Sequence, residues 1–224
     1  MLLYYITDRN QFPGTGVERR ARLLDRIAQA AEAGVDWIQL REKDLAAREL
    51  AHLAEDALRR IAPHRTRLLI NSRLDVALAV GAGGIHLTSA DLSAGQARTV
   101  AAMAGGSVEH REFLVAVSCH SASEVRLAAN QGADFVVLAP IFEKNLAAAP
   151  QARGGSSLPG IGCAAIREAG RNVSVPMLAL GGVTLANANS CLAAGAAGVA
   201  AIRLFQQGDL AETVRRLRAT QAGF

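Results

Sequence analysis

Three polar side chains at alternate positions, Gln39, Arg41 and Lys43, follow an apolar stretch of the chain. Alternate residues of an extended segment point to the same side, so these side chains are predicted to converge. An arginine can hold a phosphate through two parallel hydrogen bonds and a lysine adds a compact charge, which makes a diphosphate a candidate ligand. The competing interpretation is that Arg41 and Lys43 merely pair with Glu42, Asp44 or neighbouring strands.

Further polar residues follow other apolar runs. Asn71 can bind a substrate oxygen or a ring nitrogen. Asp91 offers the carboxylate that a hard cation such as Mg²⁺ prefers, but an aspartate in this place equally caps the helix that follows. His120, beside Ser118, is a candidate general acid or base, or else a loop histidine with its hydrogen bonds satisfied. The residues alone leave these alternatives open.

A glycine pair, Gly181-Gly182, lies between an apolar run and a predicted helix. Without side chains, backbone N–H groups can approach a phosphate closely, and the N-terminus of a helix favours an anion. A plain turn is the alternative interpretation, and we favour the phosphate site.

A recurring pattern indicates the fold that positions these residues. Four segments, which start at Ala33, Ala82, Gln131 and Ala194, have a glycine followed by an apolar run. This is typical of a helix that ends on glycine and a buried strand that begins. With the remaining apolar runs, eight strands are predicted, at residues 2–6, 35–40, 67–70, 84–87, 113–117, 134–138, 175–180 and 198–202.

Amphipathic helical stretches separate the predicted strands, with apolar residues three and four apart, as at Leu50, Leu53 and Ala54. Strict alternation makes a parallel sheet, and eight units close into a single (β/α)8 TIM barrel spanning residues 1–224. Functional residues of such barrels lie just after the strands, where the polar residues above occur. The one long connection, residues 140–160, is predicted to be a mobile lid.

Charge, apolar runs and cysteines narrow the expected partners. The formal net charge is +4, but basic residues lie along predicted helices without interleaved aromatic residues, so no nucleic-acid partner is expected. The apolar N-terminal run ends at Thr7, too short for a membrane span, and no membrane partner is expected. Three scattered cysteines indicate a cytoplasmic protein without a zinc site. The expected partners are small phosphorylated substrates, with a homodimer as the candidate assembly.

In their order and spacing, the motifs resemble the thiamine phosphate synthase superfamily nearly from end to end. They are Tyr5-Ile6-Thr7-Asp8, Gln39-Leu40-Arg41-Glu42-Lys43, Asn71-Ser72-Arg73, Gly84-Ile85-His86-Leu87 with Asp91, Gly132-Ala133-Asp134-Phe135, Pro140-Ile141-Phe142 and Ala179-Leu180-Gly181-Gly182-Val183. The superfamily has two main branches, the synthase and the thiazole tautomerase, which share the barrel and differ in chemistry.

The synthase joins a hydroxymethylpyrimidine diphosphate to a thiazole phosphate and releases pyrophosphate. The resemblance implies that the pyrimidine diphosphate is surrounded by Gln39, Arg41, Lys43 and Asn71. It also implies that Asp91 binds Mg²⁺ and that Gly181 and Gly182 bind the thiazole phosphate. The residues expected to act in catalysis are Arg41, Lys43, Ser118 and His120.

The chain departs from the superfamily pattern at three places. Ser72 stands where the synthase carries a second metal-binding aspartate, so Mg²⁺ is expected on Asp91 and Ser72 and to bind more weakly. The usual Thr-x-Thr-Lys of the sixth loop is missing, and Lys144 is expected to replace its lysine. After the eighth strand, Arg203 takes the place of a phosphate-binding serine beside Ile202, and both are expected to contact the substrate.

These departures keep two alternatives to the synthase open. One is a metal-independent thiazole tautomerase in which His120 moves the proton. The other is a non-catalytic protein that binds a phosphorylated ligand. The synthase is favoured because Asn71, Asp91 and Lys43 are retained, and a tautomerase has little need of residues for a diphosphate.

Overall fold

The computed structural model describes residues 1–104, 113–145 and 157–221, so residues 146–156 of the expected lid lie outside the described residues. Strands and helices alternate along the chain. The strands are β1 (Leu2–Ile6), β2 (Trp37–Leu40), β3 (Arg67–Asn71), β4 (Gly84–Leu87), β5 (Leu114–Cys119), β6 (Phe135–Leu138), β7 (Lys144–Asn145), β8 (Ser157–Leu158), β9 (Met177–Ala179) and β10 (Gly198–Ala201).

The helices include one short 3-10 turn, Arg9–Gln11, between β1 and the first α-helix. The α-helices are α1 (Gly16–Glu32), α2 (Ala47–Ile61), α3 (Leu74–Ala79), α4 (Ala94–Met103), α5 (Ala122–Asn130), α6 (Gly162–Ala169), α7 (Ala188–Ala193), α8 (Arg203–Gln206) and α9 (Leu210–Gln221). Among the described residues, no helix is both long enough and apolar enough to cross a membrane.

Eight strands close into a parallel barrel in the order β1-β10-β9-β6-β5-β4-β3-β2, which confirms the predicted (β/α)8 fold. Closure is direct, since β1 pairs with β10 on one side and with β2 on the other. Helix α1 illustrates how local sequence sets the outer layer. Its first turn carries a reciprocal cap between Thr15 and Glu18, and its apolar stripe, including Leu23 and Ile27, is buried against the barrel.

Aromatic rings fill the barrel interior below the C-terminal strand ends. Trp37 of β2 stacks on Phe135 of β6 with ring centroids 4.1 Å apart. Tyr4 of β1 meets Phe135 edge-on, with centroids 5.4 Å apart. Because side chains alternate along a strand, the inward position after Trp37 is Gln39, which places its amide above this aromatic floor.

The strand boundaries differ from the predicted ones where backbone chemistry intervenes. The seventh barrel strand, β9, starts at Met177 rather than at residue 175, because Pro176 has no N–H to donate to the ladder. Strand β5 continues to Cys119, so Ser118 lies on the strand rather than in the loop. Within the expected lid, β7 and β8 form a two-residue antiparallel pairing that the sequence did not suggest.

Candidate active site

A chain of hydrogen bonds crosses the barrel mouth from β2 to the loop after β4. Gln39 Nε2 donates to Asn71 Oδ1 at 2.8 Å, and Asn71 Nδ2 donates to Ser72 Oγ at 3.0 Å. Ser72 Oγ in turn donates to Asp91 Oδ2 at 2.8 Å. The structure thus brings together four residues that were predicted to bind substrate or metal. Gln39 Oε1 is buried and has no hydrogen-bond partner among the described residues.

Asp91 does not cap the following helix, contrary to one of the two sequence-based interpretations. The cap of α4 is Ser93, whose hydroxyl accepts from the amide of Gln96. Asp91 Oδ2 instead accepts from Ser72 and from both the amide and the hydroxyl of Thr88, at 2.6 and 2.8 Å. Its other oxygen, Oδ1, accepts no hydrogen bond within the described part of the chain, which leaves it available to a ligand.

Glu42 is buried inside the strand-end loop, with only 1% of its side chain exposed. It accepts from Thr7 Oγ1 at 2.6 Å and from Arg9 Nη1 at 3.1 Å. Burial is the largest influence and raises the pKa of Glu42, while the bonds from Thr7 and Arg9 oppose that shift. Thr7 also accepts from the Arg41 amide at 2.9 Å. This network therefore fixes the backbone that carries Arg41.

Arg9 also forms an ion pair with Asp44, the second carboxylate of this loop. Its Nη1 lies 2.6 Å from Asp44 Oδ1, and the arginine holds the pKa of Asp44 below its usual value. Arg41 and Lys43 consequently form no ion pair among residues 1–104, 113–145 and 157–221. The interpretation in which they pair with Glu42 or Asp44 is wrong, because Arg9, which the sequence analysis did not single out, occupies both carboxylates.

A second hydrogen-bonded chain runs beneath the mouth. Tyr4 Oη lies 3.1 Å from His86 Nδ1, and His86 Nε2 lies 2.7 Å from Ser118 Oγ. His86 is 2% exposed. Burial, with a smaller contribution from the nearby Arg41 cation, lowers the pKa of His86 to about 3. The imidazole is therefore neutral at physiological pH.

The lowered pKa of His86 predicts an acid-sensitive fold. In the unfolded chain His86 binds a proton below about pH 6.5, whereas in the folded chain it does so only near pH 3. The free energy of unfolding therefore decreases as the pH falls through this window. We expect a contribution of up to about 1.4 kcal/mol per pH unit, measured by urea unfolding between roughly pH 7 and 4.5. His86→Gln should remove that part of the slope, whereas His64→Gln, at an exposed position, should keep it. Equal slopes in all three proteins would contradict the prediction.

The glycine pair after β9 is not followed directly by a helix. The expectation that a helix N-terminus at this pair favours an anion is therefore wrong. Helix α7 starts only at Ala188, and the turn before it is closed by Asn187, which donates from Nδ2 to the carbonyl of Gly182 at 3.0 Å. Both glycines have positive φ, 96° for Gly181 and 63° for Gly182. The amides of Gly181 and Gly182 donate no hydrogen bond to any described residue. They remain free for an anion.

The Gly182 position is also tightly packed, so a side chain there should destabilise the fold. A Cβ would come within 2.8 Å of the Glu143 carbonyl and of Phe142 Cβ. Gly81 provides a matched control, since its φ is 65° and a Cβ added there would meet nothing within 4 Å. Both alanine variants carry the left-handed strain, but Gly182→Ala should cost about 1–3 kcal/mol more because of the overpacking. Equal losses of unfolding free energy for Gly182→Ala and Gly81→Ala in urea would show that the loop at Phe142 moves away from the added Cβ without cost, which would contradict the prediction.

The remaining predicted residues lie at other points around the mouth. Arg203 and Ile202 follow β10 and are half-buried, and Arg203 forms no ion pair within the described residues. His120 follows β5, is exposed, and its Nδ1 lies 2.9 Å from the Ala139 carbonyl oxygen. Lys144 falls in β7, but its side chain lies outside the described part of the structure.

Two groups of predicted residues therefore face each other across the barrel. The first is built on β2, β3 and β4, and the second follows β9 and β10, with β1 between the two on one side. The sequence analysis missed Arg9 and the pair of Tyr4 and His86. Strand parity could have indicated that Tyr4 and His86 both point inward, but not that their side chains meet.

Comparisons with known proteins agree with this architecture. A family model described as thiamine monophosphate synthase matches residues 3–205. The thiamine-phosphate synthase of Methanoculleus marisnigri is 39% identical over 218 residues, which are 96% of this chain and 93% of that protein. That of Syntrophomonas wolfei is 33% identical over 96% of this chain and 94% of its own length.

A solved structure titled as the thiamine phosphate pyrophosphorylase from Pyrococcus furiosus superposes with a TM-score of 0.78 at 25% identity, covering 99% of this chain and 96% of that one. A structure of 3-hexulose-6-phosphate synthase shares the fold, with a TM-score of 0.62 at 20% identity and coverage of 98% and 97%. The family match begins in the first strand and ends in the helix after the last barrel strand, so the chain belongs to the thiamine monophosphate synthase family.

Proposed function

We propose that the protein couples 4-amino-5-hydroxymethyl-2-methylpyrimidine diphosphate to a thiazole phosphate and yields thiamine phosphate and pyrophosphate. One observation carries the proposal: Arg41 and Lys43 form no ion pair within the described residues, at a mouth that also presents Asn71 and Asp91. Two cations without an ion pair, at a mouth that also holds a carboxylate able to accept a metal, suit a diphosphate better than a single phosphate.

Arg41 and Lys43 serve the departure of pyrophosphate. The bond between the pyrimidine methylene carbon and the diphosphate oxygen breaks, and both electrons leave with pyrophosphate. Cations at that side of the mouth stabilise the negative charge as it develops on the leaving oxygen. The thiazole nitrogen then donates its lone pair to the methylene carbon and forms the new C–N bond.

Gln39 and Asn71 orient the pyrimidine in this proposal. Gln39 Oε1 is buried without a partner among the described residues, and a buried polar atom left without a hydrogen bond is costly. Turning the amide over would exchange its two polar atoms and still leave one unpaired. A donor on the substrate, such as the pyrimidine amino group, completes the arrangement.

The residues at the mouth fit one Mg²⁺ ion that depends on the substrate. Asp91 Oδ1 accepts no hydrogen bond from the described residues, and the Ser72 hydroxyl lies beside the same carboxylate. Magnesium in such sites takes one or two carboxylates together with substrate phosphates and water. No cluster of three or more potential ligand side chains occurs among the described residues, so the diphosphate supplies further ligands. When bound, the ion supplies neutralisation of the diphosphate charge.

The thiazole phosphate binds on the opposite side of the mouth. The free amides of Gly181 and Gly182 provide donors without side chains in the way. Ile202 and Arg203, after β10, complete this side, and the half-buried Arg203 cation compensates for the serine that the superfamily pattern carries there. Lys144, in β7, is proposed to contact the substrate as well.

In this proposal Ser118 and His120 contact the pyrimidine diphosphate. Ser118 lies at the end of β5 below the mouth, whereas His120 is exposed with Nδ1 directed to a backbone oxygen. A histidine that moves a proton for a tautomerase would work without Arg41 and Lys43, the diphosphate residues that follow β2. The three cysteines form no disulfide, which together with small charged substrates supports a cytoplasmic location, and a homodimer stays a proposal.

A coupling assay tests the function. The purified protein is mixed with both substrates and Mg²⁺, and thiamine phosphate and pyrophosphate are quantified in parallel. Equal amounts of both products, lost on addition of a chelator, are expected. Two further measurements separate the alternatives. Turnover of a thiazole carboxylate phosphate without metal would identify a tautomerase. Binding of a substrate in calorimetry without any turnover would identify the non-catalytic protein that binds a phosphorylated ligand.

A further inference from the structure

The hydrogen-bonded chain of Tyr4, His86 and Ser118 has no part in the steps derived above beyond its end at Ser118. We propose that Tyr4 and His86 are positioning residues that fix the polarity of the Ser118 hydroxyl, so that it donates its proton to an acceptor atom of the ligand. The proposal rests on the proposed function only for the identity of that ligand. The polarity itself is a property of the ligand-free protein.

The buried phenol decides which nitrogen of His86 carries the proton. Tyr4 is fully buried, and its Oη has His86 Nδ1 as its one hydrogen-bond partner within the described chain. If His86 donated from Nδ1, the Tyr4 proton would have no acceptor. A buried donor without a partner disfavours that arrangement by roughly ten- to a hundred-fold. Tyr4 therefore donates to Nδ1, and the proton of the neutral imidazole lies on Nε2.

This tautomer directs the next hydrogen bond. His86 Nε2–H donates to Ser118 Oγ at 2.7 Å, so the serine oxygen accepts from below. The serine proton then points away from His86, and no other described residue accepts it. Ser118 lies on β5 rather than in a loop, which holds the hydroxyl in place. The chain thus presents a donor to the mouth, and His86 does not act as a base toward Ser118.

The shared chemistry of the expected ligand atom is a hydrogen-bond acceptor. Two parts of the substrate offer one, a phosphate oxygen and a pyrimidine ring nitrogen. Titration with pyrophosphate alone and with hydroxymethylpyrimidine alone distinguishes them. Ser118→Ala should weaken whichever of the two accepts the bond by about three- to ten-fold and leave the other unchanged.

Nitrogen NMR of the ligand-free protein tests the polarity without any substrate. The His86 resonances are assigned by their loss in His86→Gln. We expect a protonated Nε2 and an unprotonated Nδ1. Tyr4→Phe should remove the bias and raise the Nδ1–H population. Protonation at Nδ1 in the unmodified protein would overturn the proposal even if the coupling activity is present.

Binding measurements test whether Tyr4 acts through Ser118. Tyr5→Phe is a matched control, since Tyr5 is equally buried but its Oη has no hydrogen-bond partner among the described residues. Tyr4→Phe should weaken the ligand that responds to Ser118→Ala by about two- to ten-fold, and Tyr5→Phe should not. In the Ser118→Ala background, Tyr4→Phe should have no further effect. An equal loss in both backgrounds would show a merely structural role and overturn the proposal.

Discussion

Alanine at Arg41 or Lys43 should weaken binding of the pyrimidine diphosphate by about ten- to a hundred-fold for each cation, because a hydrogen bond to a charged group contributes roughly 1.5–3 kcal/mol. Neither side chain has to leave an intramolecular ion pair with a described residue to meet the ligand. The thiazole phosphate is proposed to bind after β9 and β10 without a hydrogen bond to either cation, so it should lose less than about three-fold, because water and salt screen the remaining charge interaction. Calorimetry with each substrate alone gives both values.

Arg73 provides a matched control for these two cations. It follows β3 at the same end of the barrel, but its guanidinium pairs with Asp75 at 2.5 Å, and 41% of its side chain is exposed. Exposed pairs of this kind contribute little, so Arg73→Ala should leave both affinities nearly unchanged. A similar loss for both substrates in Arg41→Ala or Lys43→Ala would mean that the cations act on the overall field and not on the diphosphate.

The barrel could be predicted because its signals are local. A glycine that ends a helix and an apolar run that follows it are properties of a few adjacent residues, and their repetition fixes the count of strands. Strand parity predicts that Gln39, Arg41 and Lys43 turn to one side, but β2 ends at Leu40 and Lys43 lies in an exposed turn, so the alternation of an extended strand does not reach the two cations. The strand-end rule then points to the loops whose residues Asn71, Ser72 and Asp91 the structure joins by hydrogen bonds.

The pairings inside the site could not be predicted, because they join residues that are distant in sequence. Arg9 takes the carboxylate of Glu42 only because β1 and β2 are neighbours in a particular register. The contact between Tyr4 and His86 depends on strands that do not pair with each other. The late start of α7 follows from the hydrogen bonds of Asn187, which compete with the helix for the same turn.

The Ser72 position allows a direct test of the metal site. Its φ of 59° lies in the left-handed region, which aspartate and asparagine tolerate better than most residues. Ser72 Oγ lies 2.8 Å from Asp91 Oδ2, so a carboxylate at position 72 would lie close to that of Asp91. Without metal, Ser72→Asp should cost stability and raise the pKa of one of the two carboxylates. Ser72→Asn has the same shape without the charge and should not.

With Mg²⁺ the order of the variants should reverse. Hard cations prefer anionic oxygen, so two carboxylates should bind the ion more tightly than one carboxylate and a hydroxyl. Binding of Mg²⁺ to the folded protein then raises the melting temperature of Ser72→Asp across a Mg²⁺ titration. The free energy of unfolding should rise by about 2.7 kcal/mol once the ion reaches a hundred times its Kd. Ser72→Asn should follow the unmodified protein, and Asp91→Ala in the Ser72→Asp background should abolish the gain. If Ser72→Asp responds to Mg²⁺ no more than Ser72→Asn does, positions 72 and 91 do not share a metal, and the carboxylate of Asp91 serves only to hold the loop at Thr88.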